Sequence, residues 1–222
     1  MLSPHSLIEG IKKPLIGDNE YLLWAWSIQK AAEFYESFPD GHGVFVEIGV
    51  QAARGFRALA SILKRTAGDG EWHIAGIDPT DRARKAWEER RKELGLKKTG
   101  KQSCSFYNTA SCDPRAFEAC GSLGIDWLYV DGCHCFDCVL IDLDTWGDAV
   151  TQGGIMVCHD TSLRKWYGKM DLCFGDGSKK PRRSRWGVHA ALESSKVMSD
   201  FDEIARLEED GEAGIRIFQK KG

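Results

Sequence analysis

The sequence contains no run of 18 or more apolar residues, and its first 30 residues lack the apolar segment of a secretory signal. It also lacks a strong charge of either sign, because 30 basic and 33 acidic residues leave a formal charge of −3. The first absence predicts a soluble, cytoplasmic protein without a membrane partner. The second argues against a general nucleic-acid binder. With 222 residues, the chain is long enough for one sizeable core, and we expect a single domain.

Cysteine is missing from the first part of the chain, since all eight cysteines lie between Cys104 and Cys173. A disulfide framework would be spread more evenly over a small secreted domain, so reduced thiols are expected. Cys133, Cys135 and Cys138 are close enough in sequence to suggest a metal or iron–sulfur site. Zinc sites usually have four ligands in paired spacings, and no second cluster matches this one. We therefore expect buried or half-buried thiols there.

The stretch from Val44 to Gly55 predicts a strand, a tight turn and a helix. A β-branched and aromatic run is followed by Glu47 and Gly49, and apolar residues at helical spacing follow Gly55. Glycine lets the backbone of such a turn approach a ligand closely. A dinucleotide site would have the spacing G-x-G-x-x-G, which is not present here. Glu47 also stands where a diphosphate would lie, whereas it suits a ligand with a positive end.

This turn resembles the first motif, E/D-x-G-x-x-x-G, of class I methyltransferases that depend on S-adenosylmethionine (SAM). The resemblance implies that SAM is the cofactor and that Glu47, Gly49, Gln51 and Gly55 contact it. Ala53 stands where the family commonly has a glycine, so a slightly displaced turn is expected. The alternative is a β–α turn of some other α/β protein.

Strands and helices alternate along the rest of the chain. Apolar runs near Val44, Trp72, Cys104, Ile125 and Ile155 predict five strands, and residues 201–207 and 214–219 predict two closing strands. This pattern indicates a Rossmann-like, doubly wound α/β fold. We expect a mostly parallel seven-stranded sheet with helices on both faces and an antiparallel C-terminal edge. The single domain, 1–222, would begin with a helical segment over 1–41, including a helix over 18–38.

Two further groups are predicted to hold the nucleoside. Asp78 ends the second strand, where a carboxylate can accept hydrogen bonds from both ribose hydroxyls. We interpret it as the ribose ligand, the alternative being a helix cap. In the methyltransferase family the residues after the third strand border adenine, and the resemblance places Ala110, Ser111 and Cys112 there. Ser111 alone is equally compatible with a turn or cap residue.

The ends of the fourth and fifth strands carry the predicted chemistry. The turn D-G-x-H at Asp131 and the sequence H-D-T at His159 resemble a branch of class I methyltransferases. This branch contains metal-dependent O-methyltransferases of natural-product sugars and cephalosporin-tailoring enzymes. The resemblance implies that Asp131, His159 and Asp160 hold a divalent metal such as Mg or Mn, that Asp131 also lies at the cofactor, and that His134 is the general base.

The chemistry of these residue types agrees with that role. A hard cation bound to a substrate hydroxyl lowers its pKa, and a nearby imidazole can remove the proton. His159 stands where the family has a carboxylate or amide, and imidazole favours Mn, Fe or Zn over Mg. The alternative is that His159 packs against the sheet and Asp160 caps the following segment.

Residues 161–186 show no sustained periodicity and are strongly basic. They contain Arg164, Lys165, Lys169, Lys179, Lys180, Arg182, Arg183 and Arg185 against two aspartates. We expect either a lid that attracts an anionic, sugar-like acceptor or a solvated loop.

Taken together, these patterns predict a SAM-dependent methyltransferase that acts on the oxygen of a small hydroxylated acceptor with metal assistance. The expected partner is this small molecule, and a homo-oligomer is left open. A nicotinamide-dependent oxidoreductase is disfavoured by the glycine spacing. A non-catalytic binding module that retains the fold is disfavoured by the intact set of Asp131, His134 and Asp160.

Overall fold

The computed structural model describes residues 3–11, 16–36, 41–120, 124–162, 168–173, 182–208 and 213–222. Two N-terminal helices are α1 (Pro4–Ile8) and α2 (Asp18–Glu36). Alternating strands and helices follow: β1 (His42–Ile48), α3 (Arg54–Thr66), β2 (Glu71–Ile77), α4 (Asp81–Glu93), β3 (Gln102–Tyr107), α5 (Pro114–Cys120), β4 (Ile125–Val130), α6 (Phe136–Asp142) and β5 (Val150–His159). A π-helical turn, Leu143–Gly147, extends α6. The remaining elements are β6 (Met170–Cys173), β7 (Arg182–Arg185), α7 (Val188–Ser194), a 3₁₀ turn (Val197–Asp200), β8 (Phe201–Leu207) and β9 (Ile215–Lys220).

Seven strands form one sheet in the order β3-β2-β1-β4-β5-β9-β8. The first five are parallel, and β9 runs antiparallel to both β5 and β8. The predicted fold class is therefore confirmed, including its antiparallel edge. The register aligns Ile48 with both Ile77 and Val130, and Val130 with Cys158. The carboxyl ends of β1, β2, β4 and β5 thus meet at one edge of the sheet.

Alternating side chains bury both faces of the sheet. Phe45, Trp127 and Tyr129 pack in one cluster with α2, α3 and α4. Val44 and Val46 belong to the other cluster, with residues of α5, α6 and α7. Such burial on two faces is what a doubly wound sheet requires. No helix in the described part of the chain is long and apolar enough to span a membrane.

The basic segment 161–186 contains regular structure that the sequence analysis missed. β6 and β7 pair antiparallel, from Met170 with Arg185 to Cys173 with Arg182. The prediction of a structureless loop was therefore wrong for these strands. Each strand has only four residues, too few to show a periodic pattern. Much of the predicted lid, including Arg164, Lys165, Lys179 and Lys180, lies outside the described residues, as do Pro39 and Asp40 at the predicted helix end.

Candidate active site

The turn between β1 and α3 passes very close to the end of β4. Gly49 has a φ of 91°, and a Cβ there would lie 2.0 Å from the carbonyl oxygen of Asp131. Only glycine fits this approach. Ala53, where the family commonly has glycine, adopts a left-handed conformation (φ 54°, ψ 31°) immediately before α3. Gln51 is left-handed as well, with a φ of 47°. The turn therefore has three residues in conformations that favour glycine. Only Gly49 is a glycine, so Gln51 and Ala53 are strained.

Glu47 is buried beneath this turn. Gly55 leaves room for its carboxylate, because a Cβ on Gly55 would lie 2.0 Å from Oε1 of Glu47. The backbone of Phe56 hydrogen-bonds the carboxylate, and Oε2 has no hydrogen-bond partner among the described residues. Burial raises the pKa of Glu47 well above its ordinary value, and the charges of Asp131 and Asp78 raise it further. A cationic group would stabilise the ionised form of this carboxylate.

Two cavities extend along the carboxyl edge of the sheet and share Gly49, Gln51 and Asp131. The first, of about 280 Å³, is also lined by Glu47, Gly55, His159 and Asp160. The second, of about 270 Å³, is also lined by Asp78, Ser111, Cys112, His134 and Asp142. Ala110, predicted beside the same ligand, lines neither of them. The shared residues make one elongated path from Glu47 to Asp142.

Asp78 is held at the middle of this path. Its Oδ2 accepts a hydrogen bond from the Gln51 backbone N–H at 3.0 Å, and its Oδ1 accepts from the backbone and hydroxyl of Thr80 at 2.8 and 2.6 Å. The cap of α4 is Thr80, whose hydroxyl accepts from the Ala83 N–H at 3.2 Å. Asp78 thus links the β1–α3 and β2–α4 turns. The residue that caps α4 is Thr80 and not Asp78.

The far end of the path contains an acid that the sequence analysis did not single out. Asp142 is 1% exposed, whereas the preceding Ile141 is 41% exposed. Burial raises the pKa of Asp142 to about 7, and a hydrogen bond with Ser111 opposes that shift. The backbone carbonyl of Ser111 also accepts from the indole of Trp146 at 2.9 Å. Asp142 therefore presents a carboxyl group that can both donate and accept near neutral pH.

Three side chains converge where β4 and β5 end. Nε2 of His134 lies 3.0 Å from Oδ2 of Asp160 and 3.7 Å from Oδ1 of Asp131. One ligand atom from each of these residues lies within 4.8 Å of the others. Trp186 stacks on the His134 ring, with centroids 4.0 Å apart and planes 9° apart, and its indole donates to the Asp160 carbonyl at 3.2 Å. The sequence-predicted base and two of the predicted metal ligands are therefore in contact.

His159 lies on the inner side of the same carboxylates. Its Nδ1 is 3.1 Å from Oδ1 of Asp131 and 3.4 Å from Oδ2 of Asp160, and its Nε2 is 3.6 Å from Oε2 of Glu20. Burial alone would lower the pKa of His159, but Asp131, Asp160 and Glu20 raise it well above its ordinary value. The structure therefore surrounds His159 with acids that favour its protonated form. It does not include His159 in the set of three mutually close ligand atoms.

Glu20 was not predicted as a site residue. It is 1% exposed, and its carboxylate accepts from the backbone N–H groups of Gly17 at 2.8 Å and Gly214 at 2.7 Å. Its position in the first turn of α2 gave no signal beyond a favourable helix start, where acids are common. Glu20 ties the N-terminal helix and the β8–β9 connection to His159.

The sheet order, with five parallel strands and an antiparallel edge, is that of a SAM-dependent methyltransferase. Residues 46–161 match the family model described as a methyltransferase domain. Because this match spans more than half of the chain, the chain belongs to the methyltransferase domain family. The predicted class, enzyme type and cofactor are thereby confirmed, and the nicotinamide alternative gains no support. A search of curated proteins gave no match.

Several solved methyltransferases share the fold. CalS11, a TDP-rhamnose 3′-O-methyltransferase of calicheamicin biosynthesis, is 16% identical with a TM-score of 0.51, over 83% of this chain and 93% of that chain. An O-methyltransferase from Bacillus cereus in complex with S-adenosylhomocysteine (SAH) is 8% identical with a TM-score of 0.58, over 99% and 90%. MycE of the mycinamycin pathway, in complex with Mg, SAH and mycinamycin VI, is 14% identical with a TM-score of 0.54, over 99% and 55%. At these identities, the likeness concerns the fold alone.

Proposed function

We propose that this methyltransferase transfers a methyl group to a hydroxyl oxygen of a small, anionic acceptor with the assistance of a divalent metal. The observation that carries this proposal is the convergence of Asp131, His134 and Asp160 beside the elongated path from Glu47 to Asp142. CalS11, which shares the fold, is named as an O-methyltransferase of calicheamicin biosynthesis. MycE, which also shares the fold, is a methyltransferase of the mycinamycin pathway and was solved with Mg.

The elongated path fits SAM. Glu47, with its unpartnered and buried Oε2, would receive the cationic methionine end, and Asp78 would accept from the ribose hydroxyls. Gly49, Gln51 and Gly55 would let the backbone approach the cofactor, as predicted. Ser111 and Cys112 would border the adenine ring, since both line that cavity and Ala110 does not. When bound, SAM supplies an electrophilic methyl group on its sulfonium.

A third cavity adjoins this path and would receive the acceptor. It has a volume of about 720 Å³ and meets the first cavity at Asp160. Arg185 and His189 line it, together with the edge of Trp186. The cationic side chain of Arg185 favours an acceptor with a carboxylate or phosphate group. The Trp186 ring offers a flat apolar surface, which suits a sugar or an aromatic ring.

His134 would act as the general base of this reaction. Its ring plane is set by the stack on Trp186, and Asp160 lies 3.0 Å from Nε2. This carboxylate would stabilise the imidazolium that forms when the His134 ring takes the proton of the acceptor hydroxyl. Trp186 borders both His134 and the acceptor cavity, so it would position the acceptor close to the base.

The residues present fit a divalent cation. Asp131, Asp160 and His159 remain the proposed ligands, because Nδ1 of His159 lies within 3.4 Å of a carboxylate oxygen from each acid. His159 would have to release its proton first, and a cation in place of that proton would satisfy the same carboxylates. When bound, the cation lowers the pKa of the acceptor hydroxyl. Two carboxylates with an imidazole favour Mn over Mg.

The experiment that tests this function is a screen with SAM carrying an isotopically labelled methyl group. Hydroxylated acceptors with carboxylate or phosphate groups are offered with Mn, with Mg, and with a chelator, and products are identified by mass spectrometry. We expect a labelled methyl ether that requires the added metal. In parallel, metal affinity should be lost in His159→Ala and kept in His134→Ala. Transfer to nitrogen or carbon, or turnover unaffected by the chelator, would contradict the proposal.

A further inference from the structure

Four cysteines meet at one point beside the candidate active site, and two of them, Cys133 and Cys138, also line its second cavity. Cys133, Cys135 and Cys138 lie on the β4–α6 loop and the first turn of α6, and Cys173 ends β6, 35 residues after Cys138. The sulfur atoms of Cys133 and Cys135 are 3.4 Å apart, those of Cys135 and Cys173 are 3.4 Å apart, and those of Cys138 and Cys173 are 3.5 Å apart. All four sulfurs lie within 4.8 Å of one another. We call this group the thiol cluster.

The spacing of the thiol cluster fits a tetrahedral metal. A zinc–sulfur distance of about 2.3 Å places the sulfurs of a tetrahedral tetrathiolate about 3.8 Å apart. The observed separations are close to that value on three edges. A disulfide would require two sulfur atoms about 2.05 Å apart, whereas these three separations are 3.4 to 3.5 Å. The structure describes all eight cysteines and joins no two of them by a disulfide.

The thiol cluster connects the β6–β7 hairpin to the loop between β4 and α6. The hairpin of β6 and β7 has four residues in each strand, and such a two-stranded unit is marginally stable on its own. Its first strand meets the β4–α6 loop through Cys173. The residues that follow its second strand meet the same loop. Trp186 forms a β-bridge with Cys135, and the Gly187 N–H donates to the His134 carbonyl at 2.8 Å.

We propose that Cys133, Cys135, Cys138 and Cys173 bind one structural zinc ion that anchors the β6–β7 hairpin to the loop carrying His134. Four thiolates fill a tetrahedral zinc completely, so this ion keeps no open position for a substrate. The thiols are buried or half-buried, as expected from the sequence, and would be the ligands of this ion. Its fourth ligand, Cys173, lies too far along the sequence to form a paired spacing. By holding Trp186 against His134, the ion positions the base without touching the reacting atoms.

Metal content of the whole chain tests this proposal. The protein is produced in zinc-supplemented medium, purified under reducing conditions without a metal-affinity step, and analysed by inductively coupled plasma mass spectrometry. We expect equimolar zinc in the wild type and its loss in Cys135→Ser and Cys173→Ser. The matched control is Cys104→Ala, which removes an equally buried thiol from β3 and should keep the zinc. Asp131→Asn should also keep it, since that residue belongs to the carboxylate site.

Cobalt substitution gives a second readout that does not depend on the folding of a variant. Wild-type protein reconstituted with Co²⁺ should show intense visible bands and thiolate-to-cobalt charge transfer in the near ultraviolet. A weak, octahedral spectrum would overturn the proposal. So would a wild type without zinc, a zinc ion that is retained in Cys173→Ser but lost in Asp131→Asn, or iron in place of zinc.

Discussion

The loop between β4 and α6 presents two different sets of ligating side chains within a few residues. Asp131 and His134 face Asp160 and offer oxygen and nitrogen donors beside three cavities. Cys133 and Cys135 alternate with them and join the thiol cluster, where only sulfur donors meet. Cys133 borders the second cavity, whereas Cys135 is 1% exposed and lines none of the three. Neighbouring residues of one loop therefore serve an open site and a closed one.

This difference has a chemical reason. A catalytic metal needs an open coordination position and hard donors suited to oxygen chemistry, whereas a structural zinc is stabilised by four thiolates that exclude other ligands. With the two proposed sites on one loop, the closed site would hold the open one in position. Trp186 contacts both sites, because its backbone forms a β-bridge with Cys135 and its ring stacks on His134.

The largest expected effect separates catalysis from the thiol cluster. His134→Ala removes the proposed base, so turnover should fall by ~100-fold or more. The SAH-induced rise in melting temperature and the equimolar zinc should both remain, since the groups proposed to hold SAH and zinc are other side chains. The matched control, His42→Ala, changes an exposed histidine at the opposite end of the sheet and should leave turnover unaltered. Unchanged turnover in His134→Ala would remove this residue from the mechanism.

Cofactor binding should depend on Asp78 and not on Cys173, which lines none of the three cavities. At a SAH concentration about 100 times Kd, binding adds about 2.7 kcal/mol to the free energy of unfolding, which raises Tm by about 5–10 °C for a chain of this size. Asp78→Ala should abolish that rise, and Cys173→Ser should keep it. Asp81→Ala, at the exposed start of α4, serves as the control. An equal rise in Asp78→Ala would show that the ribose binds elsewhere.

The buried carboxylate of Glu47 makes cofactor binding sensitive to pH. Its pKa is raised by burial and by neighbouring acids, and the ammonium group of SAH would lower it again. Binding should therefore release a proton, and SAH affinity should increase as the pH rises toward the pKa of the free protein. Calorimetric titration in buffers of different ionisation enthalpy measures the proton. Glu47→Gln should bind about 10-fold more weakly and release none. Proton uptake by the wild type would contradict this role.

The last prediction concerns Asp142, whose pKa of about 7 in the folded protein exceeds its ordinary value of 3.8. A raised carboxyl pKa stabilises the fold at low pH, and this contribution is lost as pH rises from about 4 to about 7. Asp142→Asn should therefore gain on the order of 1 kcal/mol per pH unit relative to wild type across that window, and nothing more above it. Urea unfolding at several pH values checks this. A constant difference would contradict the assignment.

The fold was predictable where apolar runs are bounded by clear turn residues. β4 (Ile125–Val130) and β8 (Phe201–Leu207) agree with the predicted strands to the residue. The start of β5 was not predictable from the sequence. Gly153 and Gly154 suggest a turn, but they lie within the strand, where its register against β4 shifts. Backbone conformations of this kind depend on strand pairing, which a local pattern does not contain.

The candidate site was predictable wherever its residues follow a parallel strand directly. Glu47, Asp78, Asp131 and Asp160 meet because parallel strands end at the same edge. Glu20 and Cys173 were missed, since each reaches its cluster from an element that only tertiary packing brings near.

A crystal structure with bound SAH would test the central claim most directly. We predict that the ammonium group lies within hydrogen-bonding distance of Glu47, that the ribose hydroxyls contact Asp78, and that the sulfur atom points toward the acceptor cavity near Asp160. SAH bound with its adenine at Glu47, or outside the two cavities that share Gly49, would contradict it.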